Sequence, residues 1–171
     1  MPPQRPAVLA VSGIKNSGKT TFLAGVIPVL RERGLRIAAI KHDAHDFSPD
    51  VPGTDSYRLA AAGAAAVAVY SQRRYMVTEE KTVSLAGLLG RFSAYDLVLI
   101  EGAKHSGYPK IEILRKAVSA APVCDTATLL ALCTDGDLKL PGVVTLALDD
   151  YAGAGALIIE YLRSRHPGRP R

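Results

Sequence analysis

Gly13-Ile14-Lys15-Asn16-Ser17-Gly18-Lys19-Thr20 carries two glycines, a lysine and a hydroxyl residue at the spacing G-x-x-x-x-G-K-[ST]. That spacing suits one task, holding a chain of phosphates. Successive backbone N–H groups can curl round phosphate oxygens only where no Cβ intervenes, which is the office of Gly13 and Gly18. A helix opening near Gly18 adds the positive end of its dipole. Lys19 is placed to reach the β- and γ-phosphates, and Thr20 offers a hydroxyl to Mg²⁺. A glycine turn that merely capped a helix would leave the Lys-Thr pair unexplained.

Such a loop needs a carboxylate from a neighbouring buried strand. Asp96-Leu97-Val98-Leu99-Ile100-Glu101-Gly102 supplies one, with Glu101 at the strand end and Asp96 at the opposite end in a structural place. Glu101 there can hold a Mg²⁺ shell or orient an attacking water. The segment 41–58 leaves another strand end and carries His42, Asp43, His45 and Asp46, a set able to ligate a transition metal or to sit incidentally in a solvated loop. Lys41, Arg58, Lys104 and Lys110 are candidates to answer a phosphate dianion.

The elements that must position these groups alternate. Ala7 to Ser12 reads as a strand, Thr20 to Arg33 as a helix with Pro28 inside it and Gly34 as its left-handed stop, and Leu35 to Lys41 as a second strand. Asp55 to Ala62 is expected as a short helix capped by Thr54 or Asp55. Strands follow at Ala64–Tyr70 and Tyr75–Thr78, and a helix at Thr82–Phe92. Tyr95–Ile100 is the most continuous buried-strand signal, and Ile111–Leu114 alternates like an edge strand. Leu129–Cys133, Val143–Leu148 and a last helix from Asp149 to about Arg163 complete the pattern. Strands apolar on both faces predict an α/β fold, a mostly parallel sheet with helices on both faces. No repeat or linker divides the chain, so residues 1–171 are expected as one P-loop nucleotide-binding domain with a flexible basic tail at 164–171.

The blocks Lys41-His42-Asp43-Ala44-His45-Asp46, Pro52-Gly53-Thr54-Asp55-Ser56-Tyr57-Arg58 and Ala62-Gly63-Ala64 resemble the molybdopterin-guanine dinucleotide biosynthesis protein B (MobB) family. So do Glu101-Gly102-Ala103-Lys104-His105 and Pro109-Lys110-Ile111-Glu112-Ile113. With the phosphate loop these blocks spread over about two thirds of the chain, residues 8–115. The resemblance implies a P-loop NTPase-like fold and a GTP-binding adaptor with weak Mg²⁺-dependent GTPase activity, commonly a homodimer. Its family assists a molybdenum cofactor guanylyltransferase that attaches GMP to molybdopterin. By matching positions, Gly13, Lys15, Asn16, Ser17, Gly18, Lys19, Thr20 and Thr21 would bind phosphates, and Thr20 and Glu101 would serve the metal. Asp46 would sit in a loop facing the γ-phosphate. The chain has no Asn-Lys-x-Asp guanine reader; Thr134-Asp135, after Leu129–Cys133, is the nearest substitute and makes Asp135 the candidate.

Two other readings of the same loop stay open. A small-molecule kinase would use Asp43 or Asp46 as the base for a substrate hydroxyl; Arg115 then stands without the arginine partner that a lid segment would bring. A metal-delivery GTPase would draw on residues 42–46, but the chain has only four histidines, scattered.

Composition narrows the partners further. The 171 residues are 48% hydrophobic and 22% charged, which excludes general disorder, and no apolar run reaches the ~20 residues that span a bilayer. The net charge of +5 is concentrated at the end: residues 161–171 hold four arginines and no acid, leaving seventeen basic against sixteen acidic residues elsewhere. With aromatic residues at 6%, stacking platforms for bases are scarce, so no nucleic acid is expected as partner. Met-Pro-Pro-Gln-Arg-Pro does not read as a secretory signal, and Cys124 and Cys133 form no CxxC pair; a cytoplasmic, reducing location is expected.

Overall fold

The computed structural model describes residues 6–42, 47 and 50–165. They group into two compact units, one of residues 6–42 and 89–165 and the other of residues 47 and 50–88.

The first unit is built on six parallel strands. Named in chain order across the whole molecule, they are β1 (Ala7–Ser12), β2 (Ile37–Lys41), β5 (Leu97–Glu101), β6 (Lys110–Leu114), β7 (Leu129–Thr134) and β8 (Val144–Leu146), in the spatial order β2-β5-β1-β6-β7-β8. Parallel neighbours need crossovers; the one from β1 to β2 contains the long helix α1 (Lys19–Glu32), and a second long helix, α4 (Tyr151–Arg165), follows β8. Leu9, Val11, Leu97, Leu99, Ile111, Ile113, Ala131 and Cys133 share one core with Phe22, Leu23, Val26 and Leu30 of α1 and Ala154 and Ile158 of α4. Alternation along the strands therefore directs the odd-numbered residues of β1, β5, β6 and β7 to the helix side.

α1 begins where the phosphate motif ends. Gly18, at φ 100°, is its N-terminal cap, and Pro28 lies inside it. It stops as a glycine stop should: Gly34 adopts φ 80°, its N–H donates to Arg31 O (2.9 Å), and the Leu35 N–H donates to Leu30 O (3.3 Å). The expected left-handed cap is where the sequence puts it.

β6 corrects an expectation. The alternation of Ile111–Leu114 reads as an edge strand, yet β6, which begins one residue earlier at Lys110, lies between β1 and β7 and all five of its residues are buried. Lys110 is 0% and Glu112 1% exposed. The charges face the side of the sheet away from α1, and backbone groups take the place of water. The Lys110 ammonium donates to Ser106 O and to Tyr108 O (2.7 Å). The Glu112 carboxylate accepts from the N–H groups of Val123 (2.7 Å) and Cys124 (3.1 Å). Buried charges are tolerated where hydrogen bonds satisfy them, so the polar period here marks the two loops that flank the strand.

The second unit holds α2 (Asp55–Ala61), capped by the Thr54 hydroxyl accepting from Tyr57 N–H (3.3 Å), and the antiparallel hairpin β3 (Ala66–Tyr70) and β4 (Tyr75–Glu79). α3 (Leu85–Arg91) crosses the boundary between the units and is shorter than the helix expected at 82–92.

Candidate functional site

Every strand of the large sheet runs the same way, so the ends of β2, β5, β1, β6 and β7 form one edge. Along that edge, in order, stand Lys41, Glu101, the loop after Ser12, Arg115 and Asp135. Sheets of this kind place ligands at that edge.

The loop itself is drawn tight. Gly13 has φ 139°, and a Cβ there would lie 2.5 Å from Ile113 O and 2.8 Å from Ser17 Oγ, so no other residue packs against β6 at this point. Asn16 takes φ 63°, a region that asparagine enters more readily than most side chains. Lys15, Asn16, Thr20 and Thr21 are exposed, while Ser17 is buried. Ser17 Oγ has no hydrogen-bond partner among the described residues, leaving a hydroxyl in the loop for an oxygen ligand to satisfy.

Lys19 lies over the curl: Nζ donates to Ile14 O (2.7 Å) and Gly13 O (3.3 Å). Burial lowers its pKa from the usual lysine value. The Glu101 carboxylate opposes that shift, while the Lys104 and Lys41 ammonium groups add to it. Three cations and one carboxylate are thus close enough at this mouth to feel one another. Such an assembly favours an anion entering beside Lys19.

Glu101 reaches across to the helix. Both of its carboxylate oxygens accept from Thr20 Oγ1 at 2.9 Å, although the residues are 81 apart in sequence. Lys41 is its Cα partner on β2. A carboxylate and a hydroxyl at this spacing are hard oxygen donors, the set that suits Mg²⁺ beside a phosphate. The turn after Glu101 is over-determined: Gly102 (φ 103°) and Ala103 (φ 55°) are both left-handed. Gly102 N–H donates to Val11 O (2.8 Å), and Ser12 Oγ donates to Gly102 O (2.5 Å). Together with the Lys110 ties to residues 106 and 108, these bonds hold Glu101 and Lys104 at the mouth.

The remaining candidates separate. Asp96 accepts from Arg36 N–H (2.6 Å) at the far end of β5, the structural place expected for it. Lys110 is spent on backbone carbonyls and is withdrawn as a group facing an anion. Arg58 pairs with Asp55 (3.7 Å) in the second unit. Asp135 is exposed, with Oδ1 accepting from Lys116 N–H (2.6 Å). His42 is exposed at the end of β2. Asp43, His45 and Asp46 lie outside the described residues, and among those described no three His, Cys, Asp or Glu side chains gather as a metal cluster.

Sequence spacing does not single out Ser12, Glu112 or Arg115 as site-forming. A Cβ at Gly18 would lie 3.3 Å from Arg115 Nη2, so the guanidinium stands directly beside the phosphate loop. The only signal available in sequence was its place just after a strand.

Comparisons with known proteins bear on the family and the fold. Residues 8–135 match the profile of the family described as "MobB: Molybdopterin guanine dinucleotide synthesis protein B". The chain is 37% identical over 168 residues to the molybdopterin-guanine dinucleotide biosynthesis adapter protein of Escherichia coli (strain K12), covering 93% of this chain and 95% of that protein. It is 35% identical to the adapter protein of the same name from Haemophilus influenzae, over 78% of this chain and 77% of the other. Among solved structures, the crystal structure of Bacillus subtilis MobB superposes with a TM-score of 0.75 at 29% identity, covering 90% of this chain and 96% of that one.

Proposed function

Because the chain belongs to the MobB family, we propose that it is a GTP-binding adaptor in molybdenum cofactor biosynthesis, assisting the attachment of GMP to molybdopterin. The observation that carries this reading is the arrangement at one sheet edge: a phosphate loop with Lys19 over its curl, and Glu101 hydrogen-bonded to Thr20 across its mouth.

In this reading the N–H groups of residues 13–21 and the Lys19 ammonium bind the phosphates. Thr20 and Glu101 would hold Mg²⁺, which when bound would neutralise phosphate charge, Glu101 giving up its bonds to Thr20 for that role. Asp135 accepts from the guanine N1 and N2 donors with its second carboxylate oxygen. Hydrolysis of GTP is slow in this reading, as the family resemblance implies. The partners are molybdopterin, a molybdenum cofactor guanylyltransferase and, for a cytoplasmic protein of this kind, a second copy of the chain. Supporting the homodimer, the β3–β4 hairpin exposes Tyr70 (85%), Tyr75 (79%) and Val77 (49%) on one face. A two-stranded ribbon is marginal alone and gains by being covered.

Calorimetric titration of GTP and of ATP, each with Mg²⁺, tests the assignment. A GTP preference of about tenfold or more, ~1.4 kcal/mol, is expected. Equal affinity, or a preference for ATP, would transfer the assignment to a small-molecule kinase. Unchanged GTP binding in Lys19→Ala would remove the phosphate loop from the reading altogether.

A further inference from the structure

We propose that Arg115 is a nucleotide-binding residue, supplied in cis from the end of β6, that contacts the α- and β-phosphates on the side of the loop opposite the metal carboxylate. The inference deepens the reading given under Proposed function and rests on it.

The backbone comes first. β6 pairs with β1 through Ala10↔Lys110, Val11↔Ile111 and Ser12↔Glu112, so Arg115 emerges beside the loop that follows Ser12. Two contacts hold its backbone there. Arg115 O accepts from the N–H groups of Val118 (2.8 Å) and Ser119 (3.0 Å), and the next residue, Lys116, donates its N–H to Asp135 Oδ1 (2.6 Å) at the end of β7. Asp135 thus acts on this segment as a positioning residue whatever else it does.

The side chain then turns to an electrostatically adverse place. Its Nη2 stands 3.3 Å from the Cβ position of Gly18, the residue that opens α1 and precedes Lys19. The free N–H groups at a helix start are positive, and Lys19 adds a full charge. Among the described residues Arg115 makes no ion pair. A guanidinium on a partly buried residue, beside a positive field and without an ion pair among the described residues, is balanced by an anion bound between them.

Sheet order tells which part of the ligand it meets. Glu101 and Thr20 mark the β5 side of the loop, where metal and terminal phosphate belong. Arg115 lies on the β6 side, towards Asp135 on β7. A nucleotide with its γ-phosphate at Glu101 therefore presents its α- and β-phosphates to Arg115. Arginine suits this task because its planar fork can donate to two phosphate oxygens at once.

GDP and GTP, each with Mg²⁺, are titrated calorimetrically into the wild-type protein, Arg115→Met, Arg115→Lys and Lys19→Ala. Arg115→Met is expected to weaken GDP and GTP by the same factor, about tenfold, with Arg115→Lys in between. Equal affinities in Arg115→Met and wild type overturn the inference while leaving the phosphate loop intact, which Lys19→Ala reports separately. Loss confined to GTP overturns it too, since that would put the guanidinium at the γ-phosphate. Wild-type protein that binds neither nucleotide overturns the function proposed above and this inference with it. Arg115→Lys keeps the charge, so a GDP affinity restored by lysine excludes a merely structural loss in Arg115→Met.

Discussion

Glu101 and Thr20 are bonded to one another across 81 residues, and that bond states the chemistry of the site at its smallest scale. Glu101→Gln keeps the size and one acceptor but removes the charge. It is expected to leave Mg²⁺-free GTP binding within about twofold while reducing the Mg²⁺-stimulated part of binding and hydrolysis by at least ~10-fold. Titration with and without Mg²⁺ separates the two effects. The buried thiols make a second prediction. Burial pushes both Cys124 and Cys133 up to about 12, from 9.0 in an unperturbed thiol. Between pH 9 and pH 12 the unfolded chain has released protons that the folded chain still holds. Stability is therefore complete below pH 9 and falls as pH rises, by up to ~1.4 kcal/mol per pH unit for each thiol. Urea unfolding at pH 8 and pH 10 measures the slope, and Cys133→Ala should flatten it.

At the scale of elements, the site depends on α1 being held rigidly against the sheet, and α4 does much of that holding. The two helices meet through glycines. A Cβ at Gly25 would lie 2.4–2.6 Å from three atoms of the Tyr151 ring, and one at Gly155 would lie 2.8 Å from Val29 Cγ1. Tyr151 also packs its ring against Phe22, with centroids 6.1 Å apart. Gly25→Ala is expected to destabilise the protein by about 1–3 kcal/mol through overpacking, despite alanine's better helix propensity. A midpoint in urea equal to that of wild type would mean that Tyr151 swings away without cost. β6 shows the same dependence in the sheet: its two buried charges fasten the loop before it and the loop after it, and those loops carry Lys104 and Arg115.

At the scale of the molecule, the six-stranded unit contains the whole described phosphate site, and the unit of residues 47 and 50–88 carries the exposed apolar hairpin. No helix among the described residues is long and apolar enough to cross a membrane. Tyr70→Glu combined with Val77→Glu would place two charges on one face of the hairpin. Sedimentation equilibrium is expected to show a dimer for wild type and a monomer for this double variant, with nucleotide affinity in the variant retained within about threefold. A wild-type monomer at tens of micromolar would end the homodimer reading.

Much of this was legible from short stretches of sequence. The phosphate loop is a contiguous spelling, because curled N–H groups, a helix start and a lysine are all local requirements. Strand and helix periods are equally local, so Ala7–Ser12 has the expected bounds and the Gly34 stop is in its expected place. Glu101 could be picked out because a buried run ending in a carboxylate has a short-range signature. What required the tertiary structure was adjacency. The six strands follow the order β2-β5-β1-β6-β7-β8, and only that order puts Arg115 beside Gly18 and Asp135 beyond it. It also turns a strand of edge-like alternation into a central one, because backbone groups from two loops replace water around Lys110 and Glu112. A residue's type reveals its charge. Which backbone groups meet that charge depends on packing between segments far apart in the chain, and no local pattern encodes that.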